Sequence, residues 1–528
     1  MTFPARTISS NFRRDPLLGF VFLILAGGLA YLAATYVVRN DLSSLAFIGM
    51  AFVGVVVILG ILNKWRNGVY FFLAWLLFED FARKYMGNNM AIYFAKDFLV
   101  AVVYLSFFLA YRRKKLQTFH IPFRIPLLFF IWFGILQVFN PASTHLMYGV
   151  LGVKLFFYYV PLLFIGYSLL NSEEELRRFF FVNLGFAAII ASLGIAQAIL
   201  GHTFLNPASM AEEIRALSTN YRMAPISGAV VYRPNSVFVS AGRFGDFLLV
   251  GWLLVFGFIG YLLLRRKQGR TFAFLILAII FGAIMLGASR GIVLWSVGSA
   301  ITGGAAFLWG APWRQNEVMR VLRSLQRAVL GIALAIVLLL VTFPEALLSR
   351  VAFYQETLSP SSSASELQHR TWDYPTQNLM GAFSYERWPY GYGIGTASLG
   401  TQYVSSIFHT KPPNVGVESG FGTLVVEMGI GGLVLWIIMG LSIVYCSWRI
   451  VQKLRGTPLF PIGFMIFWYA GLLLFPMTYA GIQPYEDFVL NAYLWLLLGI
   501  LFRLPTIELS SQVALRQVGF RRPLPQVR

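Results

Sequence analysis

The chain has 528 residues, of which 58% are hydrophobic and only 12% charged, with a mean hydropathy of +0.68. A soluble domain of this length carries about twice that charged fraction, so the soluble classes are excluded. The formal net charge of +20 does not point to nucleic acid, because Lys and Arg lie in short clusters between apolar runs, the distribution that orients a membrane protein.

Apolar runs long enough to cross a bilayer recur along the whole chain. They predict helices near 17–38, 43–63, 68–82, 91–111, 124–140, 147–170 and 177–200. Further helices are expected near 244–264, 271–288, 291–309, 328–347, 418–447, 460–480 and 487–503. The run Leu17–Val38 follows Arg6, Arg13 and Arg14, as in a signal peptide, but it is too long for a signal core and lacks a small-residue cleavage site, so it reads as a retained first helix. The single cysteine, Cys446, leaves no intramolecular disulfide and no Cys-based metal site.

The expected class is an all-α, polytopic helical bundle of about 14 spans. Its organisation is membrane helices over 1–347 with an external loop at 201–243, a long external loop over 348–417, membrane helices over 418–503, and a basic cytoplasmic tail over 504–528. With both termini inside, roughly two thirds of the 42 Lys and Arg fall in cytoplasmic segments, and every cytoplasmic connection carries at least two. The second external segment contains the Ser-rich stretch SPSSSAS at 359–365, read as flexible, and then an aromatic and glycine-rich stretch from Trp372 to Gly400. Unstructured connections of this length are uncommon unless functional or disordered. There is no internal period of a parallel repeat and no matched pair of broken helices.

Charges inside a bilayer are costly and mark functional candidates. Those singled out within helices are Lys96, Asp97, Lys154, Asp246 and Glu427, each in the external part of its helix, flanked at the boundary by Arg243, Arg290 and Glu418. Snorkelling is the plain alternative for Lys96, and a packed carboxyl bonded to a neighbour is the plain alternative for Glu427. Arg290, in GASRG at 287–291, stands at the external membrane boundary, where a planar, permanently charged fork suits phosphate oxygens. The loop 201–243 adds Arg215, Arg222, Arg233 and Arg243 against Glu212 and Glu213. A basic external surface of this kind suits an anionic substrate.

Three segments together resemble the O-antigen ligase and polysaccharide polymerase family of bacterial envelope glycosyltransferases. GASRG is similar to the family's Ser-Arg-Gly opening a helix at the external face. HRTWDYPTQNLMGAFSYERWPYGYGIGTAS at 369–398 is similar to its loop of an arginine, a nearby tryptophan and Pro-x-Gly-x-Gly-x-Gly-Thr. VESGFGTLVVEMGIGGLVLW at 417–436 is similar to the late helix that continues to Glu-x-Gly-x-x-Gly. The resemblance covers the C-terminal half; the N-terminal helices match only in number and apolar character.

What the resemblance implies is a GT-C-like bundle that moves a glycan from an undecaprenyl-pyrophosphate donor to an acceptor at the extracytoplasmic face of the bacterial inner membrane, without a metal or other cofactor. Carried over by position, the pyrophosphate ligands are Arg290 and Arg370, with Arg243, Arg233 and Lys154 as neighbours. The family's His-Asn pair is replaced by Glu418 and Ser419, so the base is either Glu418 or, nine residues earlier, His409. The implied partners are the lipid-linked oligosaccharide, membrane lipids, and a flippase with chain-length or export proteins. Polymerase and ligase both fit. The rival readings are a lipid-linked oligosaccharide flippase and a non-catalytic member of an export complex.

Overall fold

The computed structural model describes residues 54–114, 119–265, 268–312, 341–367, 369–475 and 483–520. The expected helix at 17–38 and, for most of their length, those at 43–63 and 328–347 lie outside those residues. The helices are α1 (Gly54–Asn63), α2 (Trp65–Tyr85), α3 (Met90–Lys114), α4 (Arg124–Val138), α5 (Leu146–Phe157), α6 (Leu162–Leu169) and α7 (Glu173–Leu200). Next come α8 (Glu212–Ser218), a two-stranded antiparallel hairpin of β1 (Tyr221–Met223) and β2 (Val230–Tyr232), α9 (Ala241–Arg265), α10 (Arg270–Leu286) and α11 (Arg290–Gly310). Last are α12 (Pro344–Leu358), a π-helical turn at His369–Asp373, α13 (Tyr374–Ala382), α14 (Thr401–Phe408), α15 (Gly420–Leu454), α16 (Phe460–Leu474), a single turn at Gln483–Glu486 and α17 (Phe488–Phe520).

Among the described residues seven helices are long and apolar enough to cross a membrane: α3, the α5–α6 pair taken together, α7, α9, α11, α15 and α17. The chain is thus a mostly helical, multi-pass membrane protein. The shorter apolar helices α4, α10 and α16 pack with them. Exposed side chains on α4, such as Leu128 at 61% and Trp132 at 60%, would be an aggregation surface in water and are ordinary where lipid is the solvent.

Several sequence expectations change in detail. The span expected at 147–170 is broken by a turn over 158–161 between α5 and α6. Helix α2 is longer than expected and carries Glu79, Asp80, Arg83 and Lys84 at its end, too many charges for a simple span. The basic tail expected from 504 instead continues α17 to Phe520, despite Pro505 inside the helix. The segment 348–417 is not a structureless loop, since it holds most of α12, the π-turn, α13 and α14.

Helices α9 and α17 form the centre, most of their apolar length being buried within the protein. Helix α17 lies so close to α6 that a Cβ at Gly166 would collide with the Leu496 carbonyl, and one at Gly499 with the Leu163 carbonyl. Small residues allow that approach where no hydrophobic drive separates helix from lipid. Buried polar side chains then tie helices by bonding carbonyls across them: Trp252 Nε1 donates to the Ser296 carbonyl at 3.0 Å and Trp436 Nε1 to the Leu474 carbonyl at 3.0 Å.

Helix α15 is interrupted at Gly429 (φ 69°, ψ −172°). A Cβ there would collide with the Pro389 carbonyl, so only glycine permits both the left-handed φ and the approach of the Tyr390–Gly391 backbone. The break leaves the carbonyls of Val426 and Glu427 available, and the glycine-rich loop takes them through the Tyr392 and Gly393 amides at 2.8 and 2.9 Å.

Candidate functional site

The turn between α10 and α11 carries Arg290. Ala288 holds a left-handed φ of 46° and is buried, packed with Ala224, Val231 and Phe353. This wedges the turn between the β hairpin and α12 and leaves Arg290 as the first residue of α11. Its guanidinium lies 2.8 Å from Glu366 and 5.4 Å from the Phe353 ring, with its side chain 15% exposed.

Arg350 fixes the same corner from the other side. Its Nε donates to the Leu286 carbonyl at 2.8 Å, and one terminal nitrogen donates to Tyr232 at 3.1 Å and Ala198 at 3.5 Å. Leu286 is the last residue of α10 and Ala198 lies in the last turn of α7, so one buried cation caps orphan carbonyls of two spans. Burial pushes its guanidinium down to about 10.

Arg233 follows β2 and faces the same corner. Its Nε is buried without a hydrogen-bond partner. Burial, and then repulsion from Arg222, lower its guanidinium to about 10, with Arg290 adding to the effect and Tyr354 and Asp246 opposing it. It remains charged at neutral pH. Arg222 and Arg290 thus both act on Arg233 here, and Arg290 has Glu366 as its own counter-charge; guanidinium groups so placed suit oxyanions.

The glycine-rich loop is held by two buried carboxylates. Glu427 accepts from the Gly395 amide at 3.0 Å, the Ala397 amide at 2.8 Å and Ser398 Oγ at 2.7 Å. Glu486 accepts from the Leu399 amide at 2.8 Å, and its Oε1 also lies 2.8 Å from Ser398 Oγ, whose single proton serves one of the two glutamates at a time. Glu427 is thus committed to holding backbone.

The remaining candidates fall elsewhere. Lys154 lies 2.6 Å from Asp97, and Arg243 bridges Asp80 at 2.9 Å and Asp487 at 2.7 Å. These belong to a larger network in which Lys96 lies 3.1 Å from Glu79 and Arg83 lies 3.1 Å from Asp80, while Lys84 donates to the Ser236 carbonyl at 2.7 Å. The Tyr93 ring sits among Arg83, Lys96 and Lys154. With Asp246 acting on Asp487 and Arg243 at longer range, the network sets Arg83, Lys84, Lys96, Lys154 and Arg243 against Glu79, Asp80, Asp97, Asp246 and Asp487. That balance is what lets so many charges be buried. The structure therefore packs the turn before Arg290 against the strand before Arg233, and ties Arg243 and Lys154 to carboxylates.

Glu418, exposed just before α15, accepts from the Tyr374 hydroxyl. His409 ends α14 in a left-handed conformation (φ 51°) and is exposed. Arg370 lies in the π-turn, and its side chain lies outside the described residues. Glu366, which pairs with Arg290, and Tyr374, which bonds Glu418, bracket this segment, so one short stretch of chain runs from the arginine corner to the Glu418 carboxylate.

Sequence reasoning passed over Glu79, Asp80, Arg83, Glu486 and Asp487. For the first three the signal is present: Glu-Asp-x-x-Arg-Lys at 79–84 has the i, i+3 and i, i+4 spacing of helical ion pairs. Nothing local distinguishes Glu486 and Asp487. Among the described residues no group of three or more His, Cys, Asp or Glu is placed to hold a metal ion. No family model matches this chain, and no curated protein matches it.

Proposed function

We propose that the protein is a polysaccharide polymerase or ligase of the bacterial inner membrane, acting at its external face on a polyprenyl-pyrophosphate-linked glycan. In this reading the bundle is GT-C-like with 14 spans and both termini cytoplasmic. The observation that carries it is the packing of Ala288, two residues before Arg290, with Val231, two residues before Arg233, together with the buried, unbonded Nε of Arg233. A diphosphate is the leaving group such a corner is built to neutralise.

In the reaction an acceptor hydroxyl attacks the anomeric carbon, the carbon–oxygen bond to the diphosphate breaks, and the hydroxyl proton passes to a base. Arg290 and Arg233 hold the departing diphosphate, with Arg370 joining them from the π-turn, while Arg243 and Lys154, neutralised by their carboxylates, take no part. Glu418, an exposed carboxylate with one hydroxyl partner, is the base favoured over His409. The substrate is the lipid-linked oligosaccharide, and the protein works beside a flippase and chain-length or export proteins.

The test is disruption of the gene followed by complementation with Arg290→Ala or Arg370→Ala. Expected is loss of glycan extension, with single lipid-linked units accumulating outside, at normal protein levels. Full extension with both variants discards the site. Accumulation of units on the cytoplasmic side would instead assign a flippase.

A further inference from the structure

At the end of the bundle opposite Arg290, a cleft of about 420 Å³ opens between α9, α10, α11 and α16. Its walls are apolar and include Gly260, Phe274, Gly304, Phe307 and Phe460. Ile301, also on its wall, is 67% exposed, so the cleft opens sideways onto the surface that faces lipid rather than into the protein interior. The volume falls within the range of small-molecule sites, about 300–1,000 Å³, and suits a single hydrocarbon chain.

A polar feature stands beside this cleft. Arg455 lies over the Trp309 ring, 4.3 Å from its centroid, and Trp309 meets Phe460 edge-on at 5.9 Å. The Gly456 amide donates to the Gly310 carbonyl at 2.8 Å, which fixes the chain carrying Arg455 against the end of α11. Arg455 is exposed, and among the described residues no carboxylate pairs with it. The stretch 449–455 also holds Arg449 and Lys453 and no acid. A tryptophan and an arginine at a helix end mark the headgroup level of a bilayer, and unpaired cations there attract anionic lipid.

We propose that this cleft is a binding site for one anionic phospholipid, its acyl chain between α9, α11 and α16 and its phosphate on Arg455 against Trp309. The site lies at the end of the bundle that charge counting assigns to the cytoplasm, away from the arginine corner, and is independent of the glycan-transfer reading. Gly304 leaves room for a chain to enter, Gly260 lets α9 approach Pro461 at the start of α16, and Phe274, Phe307 and Phe460 supply the apolar contact.

The test uses full-length protein in nanodiscs of phosphatidylcholine doped with brominated-acyl phosphatidylglycerol or brominated-acyl phosphatidylcholine. Quenching is read as tryptophan fluorescence, with Trp309→Phe defining the share due to Trp309, and co-purifying lipid is measured by mass spectrometry. Brominated phosphatidylglycerol should quench Trp309 at lower mole fraction than the choline lipid. Arg455→Gln should reduce that preference about fivefold, the effect of one cation near a headgroup. A Cβ at Gly304 meets nothing within 4 Å, so the side chain of Gly304→Phe starts into open space on the cleft wall and should reduce quenching by either lipid together with the amount of phosphatidylglycerol that co-purifies. Equal quenching by the two lipids, or unchanged phosphatidylglycerol retention in Gly304→Phe, overturns the proposal.

Discussion

Glu427 and Glu486 come from different parts of the chain and meet at one hydroxyl, Ser398 Oγ, which lies 2.7 Å from the first and 2.8 Å from the second. Around that contact the amides of Gly395, Ala397 and Leu399 all terminate on the same two carboxyl groups. The loop that follows Trp388 is therefore positioned by buried carboxylates.

Glu427→Ala should strand the Gly395 and Ala397 amides, at a cost of about 1–3 kcal/mol for each unsatisfied group. The expected result is a lower melting temperature and a smaller monodisperse fraction in detergent, with Ser398→Ala milder. A melting curve for Glu427→Ala that overlays the unmodified protein would show that the loop is held by something else.

Arg243 is the only contact between Asp80 and Asp487 in the described network, and both carboxylates are buried. Arg243→Met leaves two carboxylates without their shared cation, and removing one partner of a buried pair typically costs about 3–5 kcal/mol. Thermal unfolding should detect it. Adding Asp487→Asn to Arg243→Met should restore part of the loss, and a double variant no better than the single would refute the pairing.

Glu356 ties α12 to the tip of the β hairpin by accepting from the Ile226 amide at 2.7 Å and the Ser227 amide at 3.1 Å. The Ser227 hydroxyl first, and then these two amides, hold its carboxyl below the ordinary value of 4.5. Because the folded value is depressed, the contact is fully present above 4.5 and is lost as pH falls through the lower folded value. Hydrogen exchange at Ile226 and Ser227 should therefore accelerate only in that acid window, and Glu356→Gln should exchange faster at neutral pH. Protection that is independent of pH and of the substitution would remove the carboxylate from the account.

Arg290→Lys separates charge from geometry at the arginine corner. Lysine keeps the positive charge but cannot make the two-pronged contact of a guanidinium with Glu366 and a diphosphate. Glycan extension should fall by roughly tenfold, about the value of one charge-assisted hydrogen bond, while protein level holds. Undiminished extension would mean that charge alone suffices there.

The membrane class and the positions of the seven long apolar helices were legible in the sequence, because crossing a bilayer needs a long apolar run and such runs are contiguous in the chain. The charged candidates Lys96, Asp97, Lys154 and Arg243 could be picked out as costly, since cost depends only on residue type and depth. Their partners could not. Asp97 pairs with Lys154 from another helix, and Arg243 is matched by Asp80 and Asp487, more than 150 and 240 positions away. The short helices α12, α13 and α14 inside the segment 348–417 were not foreseen, because elements this short leave little periodic signal in the sequence. Sequence alone thus determined what must be buried in lipid, because that is a property of each run. Only tertiary structure decided which charges cancel, as Arg290 does with Glu366, and which, like Arg233, keep a buried nitrogen unbonded, because electrostatic pairing is set by distance in space.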